Sequence, residues 1–374
     1  MNNKEVLLSL FLDLSKAFDT LDHSILLCKL EYYGIRGILL DWFSSYLFNR
    51  KQYVIIDDFN SELKHITCGV PQGSILGPLL FLLYINDLCN SSKVLKYVLF
   101  ADDTTVYMSH KDPQVLQCNF NNELKYISNW FAANKLVVNI TKTNFMTFTY
   151  RKINFDNFTV RLNNSNITQV SSIKFLGAII DNKLSWKDHV DTLCNKMSKN
   201  IGIMNKVRMF PTSILMLLYN SFILPDLNYC MIVWGNTYNC NSERILKLQK
   251  KAIRIISHSQ YLSHTNELFH SLKLLKYDEL LLYQSAIFMF LCFNDLLPPD
   301  ILKCFNFNND IHSYNTRNSE LYHIPKVRTN ASKLSIFYNG PITWNTLPQS
   351  IRSSPSLNSF KRKYKAYLLK QYAK

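Results

Sequence analysis

Two apolar stretches, each ending on acidic residues, set the terms on which this chain can fold. Val6-Leu7-Leu8-Ser9-Leu10-Phe11-Leu12 reads as a buried strand closed by Asp13. Further on, Tyr97-Val98-Leu99-Phe100 leads into Ala101-Asp102-Asp103 and the β-prone Thr104-Thr105-Val106-Tyr107, which predicts two short strands joined by a tight turn crowned with adjacent carboxylates. Such a pair repels itself, and one efficient relief is a divalent cation held by oxygen ligands. An ordinary solvated turn is the other reading of the same residues. Asp13 stands at a strand-to-helix junction, because residues 23–33 carry Ile25, Leu26, Leu27 and Leu30 at helical spacing and are stopped by Gly34. Two-metal phosphoryl transfer needs carboxylates converging from separate strands around ions roughly 3.5–4 Å apart. Asp13, Asp102 and Asp103 supply such a set.

Between these acids, residues 69–78 (Gly-Val-Pro-Gln-Gly-Ser-Ile-Leu-Gly-Pro) concentrate three of the nine glycines and two of the eleven prolines. Glycine admits positive φ and lets the backbone approach a ligand, and the run feeds a nearly all-apolar helix expected at 79–88, whose first N–H groups face the loop. A base and sugar fit against such a loop, and so does a plain strand-to-helix connection with no ligand.

The rest of the chain alternates strand-like and helical segments to about residue 150, as an α+β domain does. Residues 151–168 are polar and Asn-rich, a loop or β-turn insertion. Helical spacing returns at 187–208, 212–224, 242–257 and 277–295, punctuated by Pro211, Pro225 and Pro298-Pro299. Residues 300–355 resist assignment, and 356–372 read as helix. The net charge of +15 is uneven: residues 1–240 hold 23 basic and 19 acidic side chains, residues 241–374 hold 19 and 8. Seven basic and no acidic residues lie between Arg352 and Lys374, with Tyr364, Tyr367 and Tyr372 interleaved. That composition suits phosphate contacts, or equally an amphipathic helix with a solvated face. Nine cysteines without zinc-ligand spacing read as small core residues in a reducing compartment. Residues 6–12 are too short for a signal-peptide core and residues 76–85 too short to span a bilayer, so the expectation is a soluble protein of the nucleus or cytoplasm with no membrane partner.

Five motifs in order resemble the reverse transcriptase of non-LTR (LINE-type) retrotransposons, especially the jockey-like group. They are Phe11-Leu12-Asp13-Leu14-Ser15-Lys16-Ala17-Phe18-Asp19; Gly69-Val70-Pro71-Gln72-Gly73-Ser74 running on to Leu80-Phe81-Leu82-Leu83-Tyr84-Ile85-Asn86-Asp87-Leu88; Phe100-Ala101-Asp102-Asp103; Asn139-Ile140-Thr141-Lys142-Thr143; and Ile173-Lys174-Phe175-Leu176-Gly177 with Trp186 and His189 downstream. The likeness continues through Asn228-Tyr229-Cys230, Val233-Trp234-Gly235, Tyr314-Asn315-Thr316-Arg317, Trp344-Asn345-Thr346-Leu347-Pro348 and Ser359-Phe360-Lys361. It implies an RNA-directed DNA polymerase acting on an RNA template, a DNA primer and dNTPs with two Mg²⁺ ions. It also implies an α+β fold: a palm of antiparallel sheet and helices over 1–185, a helical thumb or connection over 186–300, and a basic, mostly helical or irregular C-terminal region over 301–374.

By the same resemblance Asp13 and Asp102 bind the catalytic ions and Asp103 supports them. Phe18 occupies the steric gate that leaves no room for a 2′-hydroxyl, or else is a core aromatic. Gln72 and Gly73 lie along the nucleotide and template, where Gln72 also suits a turn-stabilising amide. Lys142 stands near the triphosphate as a proton donor to the leaving pyrophosphate, or is a solvated lysine. Phe175, Leu176 and Gly177, in a strand expected at 173–180, resemble the grip on the primer end, or an edge hairpin without ligand. Only twelve residues precede Asp13, where the family has an endonuclease and the fingers, so the resemblance implies a palm with its fingers largely missing that polymerises poorly or not at all. The alternative is an inactive remnant that binds nucleic acid through its basic half. A group II intron-type maturase shares the palm, but the Trp344 region and the lack of a DNA-binding zinc motif disfavour it.

Overall fold

Val6, Leu8, Leu10 and Leu12 are buried and alternate with neighbours on the opposite face, so the first strand, Val6–Leu12, can have core on one side. The computed structural model describes residues 5–153, 155, 158–311 and 319–373. Residues 314–317 of the resemblance lie outside the described residues, as do 154, 156 and 157 of the polar insertion. Val6–Leu12 forms the centre of a five-stranded sheet. It pairs antiparallel with Asp103–His110 on one side and with Asn144–Phe148 on the other. Lys96–Phe100 extends the sheet beyond Asp103–His110, and Thr168–Gln169 runs parallel to Asn144–Phe148 at the far edge.

The register puts Leu8 opposite Met108 and Leu10 opposite Val106, so one face of the sheet is apolar across its strands. That face shares its core with Leu116, Phe120, Leu124, Ile127 and Phe131 of the helix Pro113–Ala133 and with Leu80, Phe81, Tyr84 and Ile85 of the helix Leu76–Ile85. At roughly 1.5–3 kcal/mol per large apolar side chain buried, this face outweighs any single polar contact in fixing which residues meet across the strands. The helix begins at Leu76, three residues ahead of the expected 79. Ser74 closes it: its Oγ accepts from the Gly77 N–H at 3.0 Å and donates to the Pro71 carbonyl at 2.8 Å.

The chain divides into two units, Met1–Ser171 and Ser172–Lys374, so the boundary falls ahead of the expected 185. The reason is local packing, because the hairpin Ser172–Phe175 with Ala178–Asp181 rests on the helix Lys187–Lys206 that follows it. Phe175, Leu176 and Gly177 therefore lie at a hairpin turn rather than within one strand over 173–180. Asp181 ends the hairpin, and its carboxylate accepts the N–H groups of Lys183 (3.1 Å), Ser185 (3.0 Å) and Trp186 (2.7 Å). The helices Thr212–Phe222, Asn239–Ile256, Tyr277–Phe293 and Leu357–Lys370 follow the expected spacing. The helix Ile336–Asn345 does not, since Pro341 lies inside it and masks its period. It packs on Tyr277–Phe293, where Trp344 stands 5.2 Å from Phe293 between ring centroids and Phe360 4.6 Å from Phe290. No helix among the described residues is long and apolar enough to cross a membrane.

His189 offers a test of the second unit. Its Nδ1 accepts from the Ile179 N–H at 3.3 Å, its ring lies 4.9 Å from Trp234, and burial pushes its pKa below the ordinary 6.5. Below that pH the unfolded chain binds the proton that the folded one resists, so this contribution to stability is complete above 6.5 and is lost as the pH falls beneath it. His189→Gln, which keeps an acceptor, should flatten the fall in urea midpoint between about pH 6.5 and about pH 5; an unchanged slope would contradict this account.

Candidate active site

The carboxylates belong to the end of the central sheet. The last ladder pair between the first strand and its neighbour is Leu12 with Thr104. Asp13 directly follows Leu12 and Asp103 directly precedes Thr104, so the two acids flank this last pair at the end of the sheet. Phe100 pairs with Asp103, so Ala101 and Asp102 form a two-residue turn in which Ala101 takes φ +51°. Asp102 is thus the second residue of the turn and Asp103 the first of the returning strand. Partial burial, then the charges of Asp102 and Asp13, push the Asp103 carboxyl above its ordinary 3.8. Asp103 thus lies within electrostatic reach of both other acids. As their side chains stand, no three carboxylate, imidazole or thiol groups among the described residues enclose an ion.

The segment 139–143 grips the backbone of Asp13. The Asn139 N–H donates to the Asp13 carbonyl at 2.8 Å, and the Asp13 N–H donates to Thr143 Oγ1 at 3.3 Å. Thr143 is fully buried, and its N–H closes the turn on the Asn139 carbonyl at 2.9 Å. Lys142, exposed, precedes Thr143 in this turn and is carried beside Asp13 by it.

The segments that carry Phe18 and Gln72 are joined by a second set of backbone bonds. The Val70 N–H donates to the Phe18 carbonyl at 2.9 Å and the Gly69 N–H to the Leu21 carbonyl at 2.7 Å. His23, 2% exposed, has Nε2 2.7 Å from the Gly69 carbonyl, which holds the loop from the other side. The Phe18 ring is half-buried and lies 4.7 Å from that of Phe81. Gln72 Nε2 donates to Asp19 Oδ1 at 2.8 Å. Gly73 takes φ +78° with open space where a Cβ would point. Sequence reasoning gave no role to Asp19 or His23. The Asp closing the first motif was the available signal for one, and a buried ring facing a glycine loop left none for the other.

In the second unit, Leu176 (φ +45°) and Gly177 (φ +85°) form the hairpin turn. The Tyr229 hydroxyl donates to the Leu176 carbonyl, and a Cβ on Gly177 would come within 2.9 Å of the Tyr229 ring. Tyr229 therefore backs the hairpin tip, which the order of the two motifs in sequence did not foretell.

Residues 1–180 match the family model described as Reverse transcriptase (RNA-dependent DNA polymerase). Most of the chain is also similar to RNA-directed DNA polymerases of mobile elements. The RNA-directed DNA polymerase from mobile element jockey of Drosophila melanogaster is 28% identical over 288 residues, 74% of this chain and 31% of that protein. The probable RNA-directed DNA polymerase from transposon X-element of the same organism is 27% identical over 287 residues, 73% of this chain and 31% of that one. The chain thus spans less than a third of the length of these relatives. A solved telomerase from Candida albicans, in complex with a fragment of telomeric RNA, aligns with 71% of this chain and 47% of its own at TM-score 0.36 and 14% identity, too remote to bear on the site.

Gly69 is where this arrangement is most exposed to a single change. It takes φ +83°, and an added Cβ would lie 2.6 Å from the Asp19 carbonyl oxygen. Gly69→Ala should destabilise the first unit by about 1–3 kcal/mol from backbone strain alone, with the clash in addition. Urea unfolding followed at the unit's own transition measures it, and a loss under about 0.5 kcal/mol would show that the loop relaxes freely.

Proposed function

We propose that the chain acts as an RNA-directed DNA polymerase domain of a non-LTR retrotransposon, adding deoxynucleotides from dNTPs to the 3′-hydroxyl of a DNA primer along an RNA template. The observation that carries this reading is that Asp13 and Asp103 flank the last ladder pair, Leu12 with Thr104, with Asp102 in the adjoining turn. Carboxylate oxygens suit a hard cation, and one bound here would offset the charges of Asp102 and Asp13 that act on Asp103 beside the effect of its burial. Asp13 and Asp102 would hold two Mg²⁺ ions, with Asp103 in support. When bound, such ions activate the attacking hydroxyl and neutralise the departing pyrophosphate.

The other residues position and discriminate. Lys142, on the turn that grips Asp13, would donate a proton to the pyrophosphate. Phe18, braced by Phe81, would lie beneath the incoming sugar and exclude a 2′-hydroxyl. Gln72, oriented by Asp19, would hydrogen-bond the nucleotide, and the open side of Gly73 would let the template pass. Phe175, Leu176 and Gly177 would hold the primer end, with Tyr229 stiffening the turn that carries them. In this reading the first unit is the palm and the helices of the second unit form the thumb. The exposed Arg362 and Lys363 of Leu357–Lys370 would then meet phosphates.

Primer extension by the purified chain on a primed RNA template tests the proposal. Extension should require a divalent cation and disappear in Asp102→Asn, while binding of the primed template persists. An absence of extension by the wild-type chain with either Mg²⁺ or Mn²⁺, or wild-type extension by the variant, would refute it. Phe18→Val should raise ribonucleotide incorporation relative to deoxynucleotide by at least about tenfold, equivalent to about 1.4 kcal/mol of discrimination. An unchanged ratio would return Phe18 to a packing role.

A further inference from the structure

Residues 51–65 of the first unit form a hairpin arm in which every residue is exposed. Lys51 pairs with His65 and Gln52 with Lys64; nearer the tip Ile55 pairs with Asn60 and Ile56 with Phe59, so Asp57 and Asp58 make the turn. Tyr53, Val54, Ile55, Ile56, Phe59 and Leu63 are all more than half exposed, Ile56 at 68% and Phe59 at 80%. A lone two-stranded hairpin is marginal in water without a further strand or an apolar cover. Here the outer edge of residues 51–56 is paired with no strand among the described residues. Gln52-Tyr53-Val54-Ile55-Ile56 also lacks the charges and prolines that keep such an edge from adding another strand. The hydrogen bonds show which residues serve this edge. The Val54 N–H donates to Ser61 Oγ at 2.9 Å and the Val54 carbonyl accepts from the Ser61 N–H at 2.9 Å, so Val54 turns inward to its own hairpin. The Arg50 carbonyl turns inward too, accepting from the Ile66 N–H at 2.9 Å. Successive residues of an antiparallel ladder direct their main-chain groups to opposite sides, which leaves Lys51, Tyr53 and Ile55 addressing the open edge.

We infer that this edge pairs antiparallel with the same edge of a second copy of the chain, about a two-fold axis at Val54. In such a pairing facing residues share one side of the sheet, so the axis passes through a residue and each contact occurs twice. An axis at Val54 sets Tyr53 opposite the other copy's Ile55, where both address the edge and exchange main-chain bonds. It also sets Lys51 opposite the other copy's Asp57. Moving the axis to Tyr53 would put Lys51 opposite Ile55, and moving it to Ile55 would put Lys51 opposite Phe59, an apolar residue in either case. Neither Lys51 nor Asp57 has an ion-pair partner among the described residues, so the Val54 register gives each its complement. Opposite charges, and an aromatic ring facing a β-branched side chain, are favourable cross-strand pairs. The segment complements its own reverse in charge, and this identifies the occupant as a second copy rather than an unrelated strand.

Sedimentation equilibrium of the full chain tests the pairing. The weight-average mass should rise from 43.8 kDa toward twice that value as the concentration passes through the micromolar range. Lys51→Glu and Asp57→Lys each set like charges opposite one another at both ends of the pairing and should weaken self-association at least about tenfold. The backbone at Asp57, φ +53°, accepts a lysine, since Lys16, Lys135 and Lys273 take φ between +50° and +53° in this chain. Mixed together, the two single variants restore an opposite charge at each end. The mixture should therefore associate within about threefold of wild type although neither variant does so alone, which separates lost pairing from lost fold. A wild-type chain that stays monomeric throughout, a single variant that self-associates as tightly as wild type, or a mixture no tighter than its components would each overturn the inference.

Discussion

The antiparallel register between Val6–Leu12 and Asp103–His110 is the constraint on which the rest of the first unit depends. A strand alternates faces with period two, so a slip of one residue would send Leu8 and Leu10 to the open face and displace Asp13 relative to Asp103. Core and site are thus fixed by the same pairing. Several buried aliphatic side chains, at roughly 1.5–3 kcal/mol each, hold it against the repulsion of the acids at its end. The cost of gathering Asp13, Asp102 and Asp103 is met by residues that take no part in any chemistry.

The fold was legible where pattern and punctuation agree. The strand 6–12 and the acidic hairpin each combine a clean apolar stretch with a local stop or turn, and each lies where the sequence predicts it. The helix Ile336–Asn345 was illegible because Pro341 breaks the expectation of a regular interior. Residues 35–68 gave no reading at all. Their side chains are mostly exposed and their strands are two residues long, too short to show a period. The candidate site was legible as residue types in order and not as contacts. Nothing in the chain announces that Thr143 reaches the Asp13 backbone, that His23 meets the Gly69 carbonyl or that Asp19 orients Gln72, since those partners are 130, 46 and 53 positions apart.

A recurring device in both units is a polar side chain that ties down main-chain groups in an irregular segment. Thr143 does so at Asp13, His23 at Gly69, Ser74 at the start of the helix Leu76–Ile85, Asp181 at the end of the second-unit hairpin and Tyr229 at Leu176. Such bonds are individually modest, on the order of 1 kcal/mol net, yet leaving the buried partner unpaired costs more than making the bond gains. They localise order to the turns that carry the functional residues, where no ladder or helix supplies it.

The central position of the first strand also bears on how the chain is made. Leu12 pairs with Thr104 and Leu10 with Phe145, separations of 92 and 135 residues. At about 5–20 residues per second of ribosomal synthesis, both flanks of this strand are complete only after on the order of ten seconds. Throughout that interval seven consecutive residues, six of them apolar, wait in the nascent chain with both hydrogen-bonding edges open. The strand that anchors the finished sheet is therefore also one that stays open to mispairing while translation proceeds.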